Sequence, residues 1–357
     1  MLSLALLSLA LTATAAPLEP RQAPSNVPDF VVKFAPIAYL HTEEKYNPSD
    51  ISTQLFNTHP AINRTTTTAG PNPLTLDNLN NLNTIANSGS PGGEDIFLTS
   101  NADPTTDPRP EYLYGVLPDA QGKTNGATSS AVITVQKGGG ILDAFYFYFY
   151  AFDFGGVYFG LNVGNHVGDW EHTMVRFVAG VPQAIWYSQH SRGQAFTYQA
   201  TKKGADGVRP LVYVANGTHA NYATDGNHDH TIPGVNLPFG PIEDHTDAGA
   251  LWDPIASAYY YSYDVSSKSF APYNDEPTNW LYFTGHWGDA KIPEDDERQK
   301  CAFGIDALCE YVGGPTGPAF KGLDRKDVCP DGVEGGCHIL PFALAKRDKE
   351  VWDDMSL

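Results

Sequence analysis

DAFYFYFYAFD, residues 143–153, is the stretch on which the fold turns. Phe145, Phe147 and Phe149 alternate with Tyr146, Tyr148 and Tyr150, a period of two held across six aromatic residues. That is the period of an extended strand, whose successive side chains point to opposite faces. Phenyl rings then share one face and phenols the other. Working outward, further strands are expected at residues 131–135, 170–178, 184–190, 211–215 and 259–263. Gly, Pro and Asn punctuate the intervals, and no helical stretch lies between them to carry a parallel crossover. The expected fold is therefore mainly β: an antiparallel β-sandwich with long loops and one or two short helices. Residues 34–51 supply a first strand and a capped turn, in which Ser49 and Asp50 open a short helix after Pro48. Leu76, Leu79, Leu82 and Ile85 mark a second helix opening at Thr75-Leu76-Asp77. Residues 86–130 read as loop, with a strand near 112–116.

The composition agrees. Of 357 residues, 41% are hydrophobic and 18% charged, which allows a packed core; 34 Gly and 27 Pro beside 19 Tyr and 18 Phe favour turns and aromatic strands over a helical bundle. Lys and Arg number 22 against 41 Asp and Glu, a formal charge of -19. Phosphates would be repelled over most of such a surface, so a nucleic-acid partner is excluded. Plain electrostatic docking on anionic lipid is disfavoured too, although a divalent-cation bridge to it is not.

The leader sets the expected compartment. Leu2, Leu4, Leu6, Leu7, Leu9 and Leu11 form an apolar run that ends in Ala13, Thr14, Ala15 and Ala16. Residues 1–16 read as a signal peptide cleaved near Ala15 or Ala16, since the run is short for a membrane anchor. Residues 17–29 read as a propeptide or flexible N-terminus, with a second processing point at Pro20-Arg21-Gln22. Residues 30–357 form one domain with a loop-rich C-terminal extension from about 290. No later stretch suits a bilayer span. Secretion implies oxidised cysteines. Cys301, Cys309, Cys329 and Cys337 form two pairs with the same seven-residue interior, the pattern of two disulfides stapling the C-terminal segment. C-x7-C is not zinc-ligand spacing; three connectivities stay open. Asn63 and Asn216 head glycosylation sequons.

The chemistry concentrates at Asp153 and in the run Gly164-Asn165-His166-Val167-Gly168-Asp169-Trp170-Glu171-His172. On a strand, Asp169 and Glu171 share one face and Trp170 takes the other. The glycines allow His166 to turn toward the same spot. Crowded carboxylates repel unless a cation or proton neutralises them, and hard oxygen ligands select calcium, magnesium or manganese. The alternative is a solvated acidic strand end with His166 capping a turn. His190, His219, His228 and His230 cluster downstream at or beyond strand ends and look like the rim of one pocket. Asp225, Asn227 and Asp229 copy the opening of a calcium loop, but His230 stands where its glycine belongs. G-x-S-x-G, P-loop, dinucleotide and H-E-x-x-H motifs are all missing.

The ordered set Phe34-Ala35-Pro36, Gly168-Asp169-Trp170-Glu171-His172, Ser188-Gln189-His190, Asn216-Gly217-Thr218-His219-Ala220, Gly285-His286-Trp287-Gly288-Asp289 and Gly313-Gly314-Pro315-Thr316-Gly317-Pro318 resembles the vacuolar protein sorting-associated protein 62 family of fungi and its plant relatives. That resemblance covers most of the mature chain and implies a role in delivery to the vacuole. His166-x-x-Asp169-Trp170-Glu171 is more distantly similar to the G-H-R-H-D-W-E heptapeptide of the necrosis- and ethylene-inducing (Nep-like) secreted proteins. This second resemblance implies a β-sandwich with a divalent cation held by Asp153, His166, Asp169 and Glu171, with His190 following the next strand. The chain departs from it at Gly168, in a longer gap from Asp153 to His166, and in a larger C-terminal part. The resulting expectation is a secreted or vacuolar protein that uses a divalent cation to bind a glycan or lipid head group. Two alternatives stand beside it: a metal-dependent hydrolase of ester, phosphodiester or glycosidic bonds with His190 or His219 as catalytic base, and a vacuolar trafficking factor.

Overall fold

The computed structural model describes residues 23–342, apart from 63, 68, 88–89, 159, 191, 230–242, 303–307 and 334–335. The expected leader and Asn63 therefore lie outside the described residues. Two sheets carry the architecture. Their strands, in chain order, are β1 (Ile37–Tyr39), β2 (Ser130–Gly138), β3 (Ile141–Asp153), β4 (His166–Val178), β5 (Val181–Gln189), β6 (Arg192–Thr197), β7 (Leu211–Val214), β8 (Asn221–Tyr222), β9 (Leu251–Trp252), β10 (Ala258–Asp264), β11 (Ser269–Pro272) and β12 (Ile339–Leu340). The larger sheet runs β11-β10-β2-β3-β4-β5-β6-β12, and the smaller runs β8-β7-β1-β9.

The aromatic strand β3 is the spine. Its alternation serves two cores at once. Phe145, Phe147 and Phe149 pack with Trp170, Met174, Trp186, Trp280 and Trp287 on one face, beneath the strand pair Thr58–Ile62 and Ile96–Ser100. Tyr146, Tyr148 and Tyr150 pack on the other face against Ala38, Val212, Val214 and Trp252 of the smaller sheet. Buried phenols need partners. Tyr146 donates to the Val31 carbonyl at 2.6 Å, and Tyr148 meets Thr173 Oγ1 at 2.7 Å. Tyr150 OH has no partner among the described residues.

The fold is a mainly β sandwich as expected, and most strand pairs are antiparallel. Among the described residues three strand pairs are parallel: β1 with β7, β2 with β10, and β6 with β12. Parallel neighbours need a long crossover, which a helix usually supplies; between β2 and β10 the intervening strands supply it. The two α-helices among the described residues are Asp29–Lys33 and Ile51–Phe56, the second capped by Asp50, whose side chain accepts from Thr53 N–H. The helix expected from residue 75 is a 3-10 turn, Leu79–Thr84, because the buried pair Leu79 and Leu82 matches a three-residue repeat. The strand expected near 112–116 is also a 3-10 turn, Glu111–Tyr114, which buries Leu113. Disulfides join Cys301 to Cys309 and Cys329 to Cys337, the sequence-neighbour connectivity. No helix among the described residues is long and apolar enough to cross a membrane.

Candidate metal centre

The register of β3 against β4 builds the site. Asp169 lies opposite Tyr150 and Glu171 opposite Tyr148, which puts both carboxylates on the phenol face. Trp170 lies opposite Phe149 and is buried in the other core. Asp153, the last residue of β3, pairs with His166, the first of β4. Gly168 has φ +68°, and a Cβ there would stand 2.2 Å from the Trp287 carbonyl, so only glycine lets the strand mouth pass beneath that loop. The same bend brings the Gly168 carbonyl to 2.7 Å from His166 Nδ1. Donation from Nδ1–H turns Nε2 toward Asp153, 3.8 Å from Oδ2.

His219 arrives from the loop after β7, with φ +55°. Its ring stacks on Tyr150 at 3.6 Å and 2°. Nδ1 lies 3.1 Å from Asp169 Oδ2, and Nε2 donates to the Tyr46 carbonyl at 3.0 Å. Glu44 stands behind it, Oε1 3.8 Å from Nε2, fixed by N–H groups of Gly217 and Tyr46. One ligand atom each from Asp153, Asp169 and His219 falls within 4.8 Å of the others, all three side chains buried. Glu171 lies one pleat further along the same face and accepts a short hydrogen bond from Ser188 Oγ.

Charge is crowded here, and the titration of each group records it. Burial, reinforced by Asp169 and opposed by His166, lifts the Asp153 carboxyl to about 6. Burial and then Asp169 lift Glu171 to about 7. Burial alone would raise Asp169, but the hydrogen bond and charge of His219 hold it below the usual carboxylate range. Burial alone would lower His219, and Asp169 with Glu44 instead raise it to about 10. A raised proton affinity at Asp153 and Glu171, and the His219 ring beside Asp169, thus offset part of the repulsion among the crowded carboxylates.

The other expected residues fall nearby or elsewhere. His190, at φ +55°, pairs with Asp244 at 2.9 Å and is raised to about 9: burial opposes this, and Asp244 outweighs burial. Asp244 also accepts from Thr218 and Tyr222. The His166 and His190 side chains keep 17% and 23% exposure, so the mouth of the centre reaches solvent. His228 stacks on Tyr222 at 3.8 Å, and His230 lies outside the described residues. Asn216 is half-buried at the base of the His219 loop. Sequence reasoning placed His219 on a rim and overlooked Glu44, Ser188 and Asp244 as partners. Glu44 sits in an ordinary polar run, HTEEKY, and meets its histidine across 175 residues. No local pattern marks it.

A family described as vacuolar protein sorting-associated protein 62 matches residues 151–301. The chain is 38% identical over 347 residues to the putative vacuolar protein sorting-associated protein TDA6 of Saccharomyces cerevisiae, across 88% of this chain and 72% of that one. It is 35% identical over 326 residues to vacuolar protein sorting-associated protein 62 of the same yeast, across 85% and 68%. Among solved structures, NLPPya in complex with glucosamine aligns at 13% identity with a TM-score of 0.31, over 71% of this chain and 81% of that one. Necrosis and Ethylene inducing Protein 2 from the causal agent of cocoa's Witches Broom disease aligns at 14% identity with a TM-score of 0.27, over 58% and 72%.

Proposed function

The chain belongs to the vacuolar protein sorting-associated protein 62 family, and from that premise we propose that its strand-end cluster holds a divalent cation through which a glycan or lipid head group binds. The observation that carries this reading is the convergence of Asp153, Asp169 and His219 ligand atoms within 4.8 Å in a buried, carboxylate-rich pocket. Asp153 and Asp169 offer hard anionic oxygens, with Glu171 beside them. His166 Nε2 and His219 Nδ1 are the ring nitrogens turned inward, since the opposite nitrogen of each ring is held by a backbone carbonyl. The orphan hydroxyl of Tyr150 leaves a donor for a water or ligand oxygen. Carboxylates suit calcium, magnesium or manganese, and an imidazole nitrogen tips the set toward manganese.

A bound cation coordinates sugar hydroxyls or bridges to phosphate, which a chain of charge -19 cannot attract directly. Asp244 holds His190 toward the imidazolium form, and His219 as a ligand has no free ring nitrogen, since Nε2 donates to the Tyr46 carbonyl and Nδ1 faces the cation. Neither ring is then available as a general base, so binding is favoured over hydrolysis with either residue as base. In this reading the protein enters the secretory pathway through residues 1–16, carries glycans at Asn63 and Asn216, and works outside the cell or in the vacuole. The test is a glycan and lipid array probed with manganese, calcium or EDTA, run beside turnover assays on ester, phosphodiester and glycoside substrates. Binding that EDTA abolishes, without turnover, is the expected result. Turnover under the same metal dependence would replace the binding reading with the hydrolase, and metal-independent binding would overturn it.

A further inference from the structure

The centre lies where β3 ends and β4 begins, so its geometry depends on what holds that edge of the sheet. A backbone segment from the stapled C-terminal region does this. Gly164 N–H donates to the Cys309 carbonyl and Asn165 N–H to the Glu310 carbonyl, each at 2.8 Å; Val312 N–H donates to the Asn165 carbonyl at 2.9 Å. Asn165 is fully buried, and its Oδ1 accepts from Gly155 N–H at 3.2 Å. Asn165 directly precedes His166, and Gly155 stands two residues after Asp153. Residues 309–312 therefore close the turn on which Asp153 and His166 both sit.

The same segment also reaches the opposite wall. Tyr311 OH lies 3.4 Å from Arg109 Nη1, and Arg109 Nε donates to Tyr46 OH at 3.0 Å. The Arg109 guanidinium also lies 4.4 Å from the ring centre of Phe152, the neighbour of Asp153. Tyr46 in turn supplies the carbonyl that accepts from His219 Nε2. The Cys301–Cys309 bond closes the segment over a separation of eight residues.

We propose that residues 309–312, closed by Cys301–Cys309, form a brace that positions both inward-facing histidines: His166 through Asn165, and His219 through Arg109 and Tyr46. This rests on the cation reading only in treating those rings as ligands. Arg109 is a positioning residue, since it acts on the centre through Tyr46. A staple that served stability alone would have no privileged link to these two rings, and Cys329–Cys337 would serve as well.

The experiment compares C301S/C309S, Arg109→Met, Tyr46→Phe (which removes only the hydroxyl) and C329S/C337S in the full mature chain. Melting curves confirm folding, ring resonances of His166 and His219 are read by NMR in EDTA, and manganese is titrated calorimetrically. Outer-shell losses weaken metal sites by about tenfold or more. That loss, with displaced resonances of His166 in C301S/C309S and of His219 in Arg109→Met and Tyr46→Phe, is expected, while C329S/C337S stays within about twofold of wild type. Unmoved ring resonances in folded variants, or an equal effect from the second staple, would overturn the brace. If the wild type takes no cation, the ring resonances alone decide the brace, and the failure belongs to the cation reading.

Discussion

Asp169 and Glu171 occupy neighbouring positions on one strand face, yet their surroundings give them opposite energetics. Asp169 is paired with His219, so Asp169→Asn removes one of the two carboxylates that face that ring and leaves Glu44 as the other; losing this charged hydrogen bond costs about 1–3 kcal/mol even without a metal. Denaturant unfolding in EDTA measures it. Glu171 accepts its hydrogen bond from the neutral Ser188 hydroxyl, and burial with Asp169 beside it lifts the carboxyl to about 7 against an ordinary 4.5. The folded state then binds more protons than the unfolded one between these values, so this group's contribution to stability falls as pH rises from about 4.5 to about 7. Glu171→Gln removes that loss. In EDTA the variant should match wild type near pH 5 and exceed it at pH 8 by about 2 kcal/mol. Equal stability differences at both pH values would show that Glu171 is not strained by its neighbours. The shared face of Asp169 and Glu171 was legible from strand period alone. Their different fates were not, because His219 and Ser188 come from other parts of the chain.

At the scale of the element, β4 separates chemistry from packing by alternation. Trp170 is fully buried, stacked on Trp280 at 5.6 Å and edge-on to Trp287 at 5.3 Å, while Asp169 and Glu171 face the smaller sheet. Trp170→Phe should therefore cost about 1–3 kcal/mol of stability, as large-to-small core changes do, and leave manganese affinity unchanged. A matched loss of affinity in calorimetry would mean that the two faces are coupled. The alternation of β3 was readable because six consecutive aromatic residues obey one period. The 3-10 turn at Leu79–Thr84 was read as a longer helix because spacings of three suit both forms, and only the packing of Leu79 and Leu82 decides between them. The parallel pairing of β2 with β10 left no local trace, since register across a long crossover is a tertiary property.

For the whole molecule, the two staples lie outside the strands that build the cores, so the sheets should outlive them. Reduction should cost roughly 2–3 kcal/mol for each short loop opened while the β-sheet signal in circular dichroism persists below the melt. Hydrogen exchange should rise at the Gly164 and Asn165 amides, which donate to the segment that Cys301–Cys309 closes. Loss of the sheet signal on reduction would show that the sheets depend on the staples. The cysteine spacing announced the staples; their contact with the strand mouth needed the fold. The central claim, that this family member holds a cation at the ends of β3 and β4, is tested most directly by a crystal of the mature protein soaked in manganese and measured at the manganese absorption edge. The account predicts an anomalous peak bonded to the carboxylates of Asp153 and Asp169, absent from crystals of Asp169→Asn. A wild-type crystal with no peak there, or a peak that survives in Asp169→Asn, would contradict it.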